Sequence, residues 1–165
     1  MDKNTGFTLV EVLIAILVLA VGLLGLAGLQ ATSLSNSQSA YNRSLATQLA
    51  YDLADRIRAN NDPAGSALAA YIAGVPAANA NCKNTTGCSP AQMAQNDLYE
   101  WNCAVAGGCQ NDAPPIAAAL PGGTGLPITV TVVGGVNVYT ITISWTDKNN
   151  NGIPELTTFT TSFRL

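Results

Sequence analysis

One carboxylate stands at the edge of the most apolar stretch of the chain. Glu11 is followed by Val12 to Leu29, 18 residues with no polar side chain, and between Phe7 and Leu29 the only other polar residue is Thr8. The next charge after Glu11 is Arg43. An ion in such surroundings costs several kcal/mol unless it is paired. The field of a helix N-terminus returns only ~0.3–1 kcal/mol. Glu11 therefore asks for a cation, and its chemistry is ion pairing rather than proton transfer. Catalysis finds little else to work with. The chain has no histidine, which removes the commonest general base and metal ligand. No nucleophile–base pair is recognisable, and Gly122-Gly123-Thr124-Gly125 lacks the Lys-Ser/Thr that follows in a phosphate cradle. The expectation is a protein that is not an enzyme.

Two further constellations could carry chemistry. Cys82, Cys88, Cys103 and Cys109 form two C-x5-C pairs. The wide spacing lacks the tight knuckle of a zinc site, so disulfides are the better reading if this part of the chain is exported. Four cysteines allow three pairings. Cys88 and Cys103 flank a helical segment too long, at roughly 22 Å, for a bond that needs Cα atoms within ~7 Å. Of the two pairings left, Cys82–Cys88 with Cys103–Cys109 is favoured because it needs no long reach. The second constellation is Asp147-Lys148-Asn149-Asn150-Asn151-Gly152-Ile153-Pro154-Glu155. Asp147, Asn149, Asn151 and Glu155 sit at positions 1, 3, 5 and 9 of a candidate calcium loop, but Thr158 stands where that loop needs a bidentate Glu. An Asn/Gly-rich turn between two strands accounts for the same composition. No cofactor is expected, with calcium at this loop as the one candidate.

The elements that must position these residues are legible from periodicity. With 165 residues and 17.0 kDa, the chain has room for one domain and an appended helix. Its net charge of −3 and pI near 4.6 offer nothing to a phosphate backbone, so no nucleic acid is expected as a partner. The Val12–Leu29 run spans roughly 27 Å as a helix, close to a bilayer's hydrocarbon thickness. Residues 30–60 contain neither Gly nor Pro. There Tyr41, Leu45, Leu49, Leu53 and Ile57 recur at i+4, with Ala46, Ala50 and Ala54 beside them, which predicts an amphipathic continuation. Asp52 and Arg56 form an i,i+4 pair on the outer side, and Asp55, Arg56 and Arg58 read as a solvated face. Asn60-Asn61-Asp62-Pro63 ends the helix. Residues 63–88 read as a connecting loop with a short helical turn near 66–72.

Ser89-Pro90-Ala91-Gln92 is a capping box with Pro at N1, opening a helix over about 90–106 whose apolar face is Ala94, Leu98, Trp101 and Val105. From there the period changes to two. Strands are predicted over about 126–133, 136–146 and 156–164, with Gly134-Gly135 as a two-residue hairpin turn. The fold class is α+β: a long N-terminal helix, its first half transmembrane, packed on a small antiparallel sheet.

A cleaved secretory signal fits the N-terminus poorly, because the apolar run is too long and no small-x-small site follows it. A cut after Gly6 instead makes Phe7 the first residue and sets its amine one helical turn from Glu11. Gly6-Phe7-Thr8-Leu9-Val10-Glu11 before an apolar helix resembles the class III signal of type IV pilins and type II secretion pseudopilins. That resemblance implies a pilin-like fold and a prepilin peptidase that cuts between Gly6 and Phe7 and methylates the Phe7 amine. It also implies that Glu11 neutralises the terminal amine of a neighbouring subunit during assembly. The segment Ala50-Tyr51-Asp52-Leu53-Ala54-Asp55-Arg56-Ile57-Arg58-Ala59-Asn60 resembles the PilV group of minor pilins. So do Gly28-Leu29-Gln30-Ala31, Asp97-Leu98 with Glu100-Trp101, and Leu120-Pro121-Gly122-Gly123.

The organisation expected from all this is a leader at residues 1–6, a transmembrane and filament-core helix at 7–29, its amphipathic half at 30–62, and a head at 63–165. By resemblance the partners are other minor pilins, the major pilin, prepilin peptidase, the inner membrane and a tip adhesin. The protein would sit in the bacterial inner membrane with its head in the periplasm, then in the pilus at the cell surface. A pseudopilin of a type II secretion system and a membrane-anchored surface-binding module are the alternatives.

Overall fold

A computed structural model describes residues 8–109, 117–125, 128–149 and 152–165. The chain divides after Ala40 into two compact units. A single helix, α1 (Leu9–Ala59, 51 residues), begins in the first and ends in the second. Its start is capped by Thr8, whose Oγ1 accepts the Glu11 N–H at 3.3 Å while its carbonyl accepts the same group at 3.1 Å. Hydroxyls in the polar middle turn back onto the helix: Thr32 donates to the Gly28 carbonyl at 3.1 Å, Ser37 to Ser33 at 2.9 Å and Thr47 to Arg43 at 2.8 Å. Such bonds share the carbonyls of the helical ladder, which slightly weakens a helix and favours a gentle bend.

In the second unit, α1 buries Asn42, Ala46, Ala50, Leu53, Ala54 and Ile57. The expected stripe is displaced: Tyr41 is 60% exposed, and Leu45 and Leu49 are only half-buried. The centre of the buried line is alanine. Small side chains there let a large partner approach the backbone, and the Trp101 indole N–H reaches the Leu49 carbonyl at 2.7 Å. After Pro63 come α2 (Ser66–Ala73), a short 3-10 turn (Ala80–Lys83) and α3 (Pro90–Ala106). The start of α2 is held by Asp62, which accepts the Ser66 and Ala67 amides at 3.2 and 2.8 Å. Those amide bonds hold its carboxyl below the ordinary range. At α3 the capping box forms in full, with Ser89 and Gln92 each bonding the other's amide. Ala94, Leu98, Trp101 and Val105 are all buried.

The sheet is antiparallel, in the order β1 (Thr129–Val133), β2 (Val136–Lys148), β3 (Pro154–Phe163). Of the strand expected over 126–133, residues 126–127 lie outside the described residues and β1 is described from Thr129, while β2 and β3 run further toward the 148–154 turn. Both turn glycines between β1 and β2 have positive φ, 60° at Gly134 and 80° at Gly135, as a two-residue turn between twisted strands requires. Alternation along β2 buries Tyr139, Ile141, Ile143 and Trp145 and turns Thr140, Thr142 and Ser144 outward. The buried face joins the α1 alanines, Tyr71, Leu98, Trp101, Val105, Leu120 and Phe163 in one core. This is the α+β, pilin-like architecture: a long helix whose apolar start leads into a head built on a three-stranded antiparallel sheet.

Pro121 to Gly125 closes the core from the side. Thr124 and Ser144 exchange backbone bonds at 2.8 Å, and Thr146 donates to the Pro121 carbonyl at 2.8 Å. A Cβ on Gly125 would fall inside the van der Waals surface of the Trp101 ring, which is 1% exposed and has no room to move. Gly125→Ala is expected to destabilise the protein by about 1–3 kcal/mol, the cost of overpacking a filled core. Urea unfolding followed by tryptophan fluorescence checks this; an unchanged midpoint would show that the 121–125 segment yields without cost.

Candidate assembly site and a polar junction in the head

Glu11 lies in the first turn of α1. With Val12, Ala15, Ile16 and Leu19 it lines a shallow concavity along one side of the helix. The remaining surface of this half is uniformly apolar and open, from Leu9 at 76% exposed through Leu17 at 65% to Leu24 at 74%. The helix contains an 18-residue window of mean hydropathy 2.9, none of it buried, and is long and apolar enough to cross a membrane. Gly22, Gly25 and Gly28 face open space among the described residues, so no contact described within the chain requires them. Such a surface is stable only against lipid or other apolar helices, and the acid at its end is available to a cation that arrives with them. Gly6 and Phe7 lie outside the described residues.

A second polar cluster sits in the head, and here the expected solvated face is corrected. Arg56 Nε bonds Asp52 at 3.0 Å, but its Nη1 reaches across to α3 and bonds Asp97 Oδ1 and Glu100 Oε2, each at 3.1 Å. Asp97 is only 8% exposed and also accepts the buried Tyr71 hydroxyl. Glu100 takes Lys83 Nζ at 3.0 Å and the Asn96 amide at 3.1 Å, and Asn60 ties the end of α1 to the Pro90 carbonyl at 2.9 Å. The cluster therefore joins α1, α2, the 3-10 turn and α3. Burial alone would lower the Arg56 pKa, yet Glu100, Asp52 and Asp97 outweigh it and raise it. Burial pushes the Tyr71 hydroxyl up, and its bond to Asp97 adds to the shift. Glu100 is disfavoured as an anion by burial, but Lys83, Arg56 and Asn96 hold it below the ordinary carboxylate range. Another pair, Arg58 with Asp55 at 2.7 Å, is exposed, and the Arg58 guanidinium lies 5.0 Å over the Phe163 ring.

Cys82 is bonded to Cys88 and Cys103 to Cys109, with Cα separations of 5.0 and 5.4 Å. The first bridge closes the loop that carries Lys83, and the second spans the C-terminal end of α3. In the 147–155 loop, Asp147 and Glu155 face each other across β2 and β3. Asn149 Oδ1 accepts the Ile153 amide at 3.0 Å, and Asp147 Oδ1 accepts the Lys148 amide at 2.8 Å. Asn149 thus acts as a turn former. Asn151 lies outside the described residues. Among the described residues no group of three or more His, Cys, Asp or Glu is arranged to hold a metal ion.

An exposed apolar helix with an acid at its start, continuing into a small disulfide-linked α+β head, is a pilin-like architecture whose first half is long and apolar enough to cross a membrane. Comparison with known families is consistent with that architecture. Residues 1–27 match the prokaryotic N-terminal methylation motif, and residues 28–99 match the family described as type IV pilin Tt1218. Over these two adjoining segments the chain is similar to type IV pilins and to their class III signal. Its motif implies processing by a prepilin peptidase and contact with other pilus components. No curated protein and no solved structure matches the chain.

Proposed function

We propose that the protein is a minor pilin of a type IV pilus, a subunit of the PilV kind. It joins other minor pilins and the major pilin in a complex that primes assembly and sits at the filament tip, where a tip adhesin is a further partner. The precursor rests in the inner membrane with its head in the periplasm. Prepilin peptidase cuts between Gly6 and Phe7 and methylates the new amine. The observation that carries this reading is the placement of Glu11: one acid in the first turn of a helix whose next 18 residues are apolar and unburied. Extraction from lipid into a bundle of similar helices keeps the apolar surface dry, while Glu11 and the amine of a neighbour neutralise each other.

Processing is the most direct test. Replacing Gly6 with a larger residue such as leucine is expected to leave the precursor uncut. Mass spectrometry of the membrane-extracted protein would then show the chain from Met1, whereas the wild type begins at a methylated Phe7. A wild-type protein that retains Met1 would overturn the proposal. Tip placement is tested by cross-linking in intact cells, with other minor pilins as the expected products.

A further inference from the structure

The chain carries two Asn-x-Ser/Thr triplets, Asn42-Arg43-Ser44 and Asn84-Thr85-Thr86. This triplet is the acceptor signal for a glycan joined to the Asn side-chain amide, and it serves only on an exposed surface. The fold separates the two. Asn42 lies within α1 and is 2% exposed, so its carboxamide is out of an enzyme's reach. Asn84 follows the Ala80–Lys83 turn, inside the loop that the Cys82–Cys88 bridge closes. Residues 83–87 are all exposed, and a Cβ on Gly87 would meet nothing within 4 Å. The backbone of this loop is held in place. Asn84 donates its amide to the Asn81 carbonyl at 3.4 Å, and Gly87, at φ 72°, donates to the Asn84 carbonyl at 3.3 Å. The Asn84 side chain completes the turn: its Oδ1 accepts the Thr86 amide at 2.9 Å. That bond occupies the carboxamide oxygen, sets Thr86 beside it, and leaves Nδ2 without a partner among the described residues. An N–H donated to the oxygen draws electron density out of the carboxamide, so an Nδ2 proton is easier to lose.

We propose that Asn84 is an N-glycosylation site. The donor is an oligosaccharide carried on a polyprenyl pyrophosphate, and the catalyst is a membrane-bound oligosaccharyltransferase. Asn84 Nδ2 attacks the anomeric carbon of the first sugar. The bond from Nδ2 to that carbon forms as the carbon–oxygen bond to the pyrophosphate breaks. The amide gives one proton to a carboxylate of the transferase, the polyprenyl pyrophosphate leaves, and nothing is oxidised or reduced. Both flanks of the acceptor are anchored. Lys83, the residue before Asn84, is tied to Glu100 at 3.0 Å. On the other side Asn60 bonds the Pro90 carbonyl at 2.9 Å, so the loop stands beside the C-terminal end of α1. A glycan there covers this end of the head with a bulky, hydrated group. The inference rests on the periplasmic placement of the head proposed above, with which the two bridges agree, because disulfides persist in oxidising compartments.

The test is mass spectrometry of the full-length protein extracted from the membranes of its own cells, read as intact mass and as modified peptides. The wild type should exceed the mass of its processed chain by a whole number of sugar residues, all of them on Asn84. Asn84→Gln and Thr86→Ala, both at exposed positions, should each abolish the added mass. Thr86→Ser keeps the hydroxyl of the signal and should retain it. Alkylation before reduction reports the state of the cysteines in the same samples. An unmodified Asn84 in a chain whose Cys82–Cys88 bridge is closed would overturn the glycan alone. An unmodified Asn84 beside free cysteines would overturn the periplasmic placement with it. Sugar on Asn42, on the Thr85 or Thr86 hydroxyl, or still present in the Asn84→Gln variant would equally overturn the proposal.

Discussion

Replacing Glu11 with alanine or lysine is expected to leave the protein in the membrane and exclude it from filaments. Insertion depends on the Val12–Leu29 run, which neither substitution touches, and removing a carboxylate from an apolar helix eases insertion. Assembly is different. In the proposed bundle the Phe7 amine of a neighbour leaves water, and without an acid nearby it is an uncompensated buried ion. Breaking a buried pair by removing one partner costs about 3–5 kcal/mol, a factor of a hundred or more in the equilibrium for joining the filament. Lysine adds a like charge and should be the more severe. The measurement is an immunoblot of sheared surface fibres beside one of the membrane fraction. Wild-type levels of both variants in the fibres would show that apolar packing alone holds the subunit and that the ion pair has no part in assembly.

The fold class was legible because each element carries its own signal. Eighteen apolar residues after Glu11, a Gly- and Pro-free stretch to Asn60, Ser89 and Gln92 around Pro90, and strict alternation from Tyr139 to Trp145 are all local patterns. The structure shows a long helix, a capped second helix and an antiparallel sheet where those patterns fall. What was not legible depends on distance in the chain. Arg56 looks solvated from its own helix, where Asp52 and Asp55 are its neighbours. Its partners Asp97 and Glu100 lie 41 and 44 residues away. One signal was present: Asp97 and Glu100 are spaced i,i+3 beside an apolar face that includes Leu98 and Trp101. Acids bordering a buried stripe imply a cation from the element packed there. Likewise, the alanines of α1 looked secondary to Leu45 and Leu49, because periodicity reports a face and not its depth. The depth is set by Trp101, whose indole must reach the Leu49 carbonyl.

That same junction leads to the second large effect. Arg56→Ala should destabilise the head by about 2–4 kcal/mol, because it strands Asp97 in the interior and leaves Glu100 dependent on Lys83. Arg58 is the control. Its pair with Asp55 is exposed and its guanidinium lies over Phe163, so Arg58→Ala should cost under about 1 kcal/mol. Arg56→Lys should fall between the two, since one ammonium cannot span Asp52, Asp97 and Glu100 as the planar guanidinium does. A double substitution separates the charge from the packing. If stranding Asp97 causes the loss, Arg56→Met combined with Asp97→Asn should be more stable than Arg56→Met alone, because the uncompensated anion is gone while the Tyr71 hydroxyl keeps a partner. Urea unfolding of the five variants gives the comparison. Equal losses for Arg56→Ala and Arg58→Ala would show that the junction is no more than surface charge and that the apolar core alone holds α3 against α1.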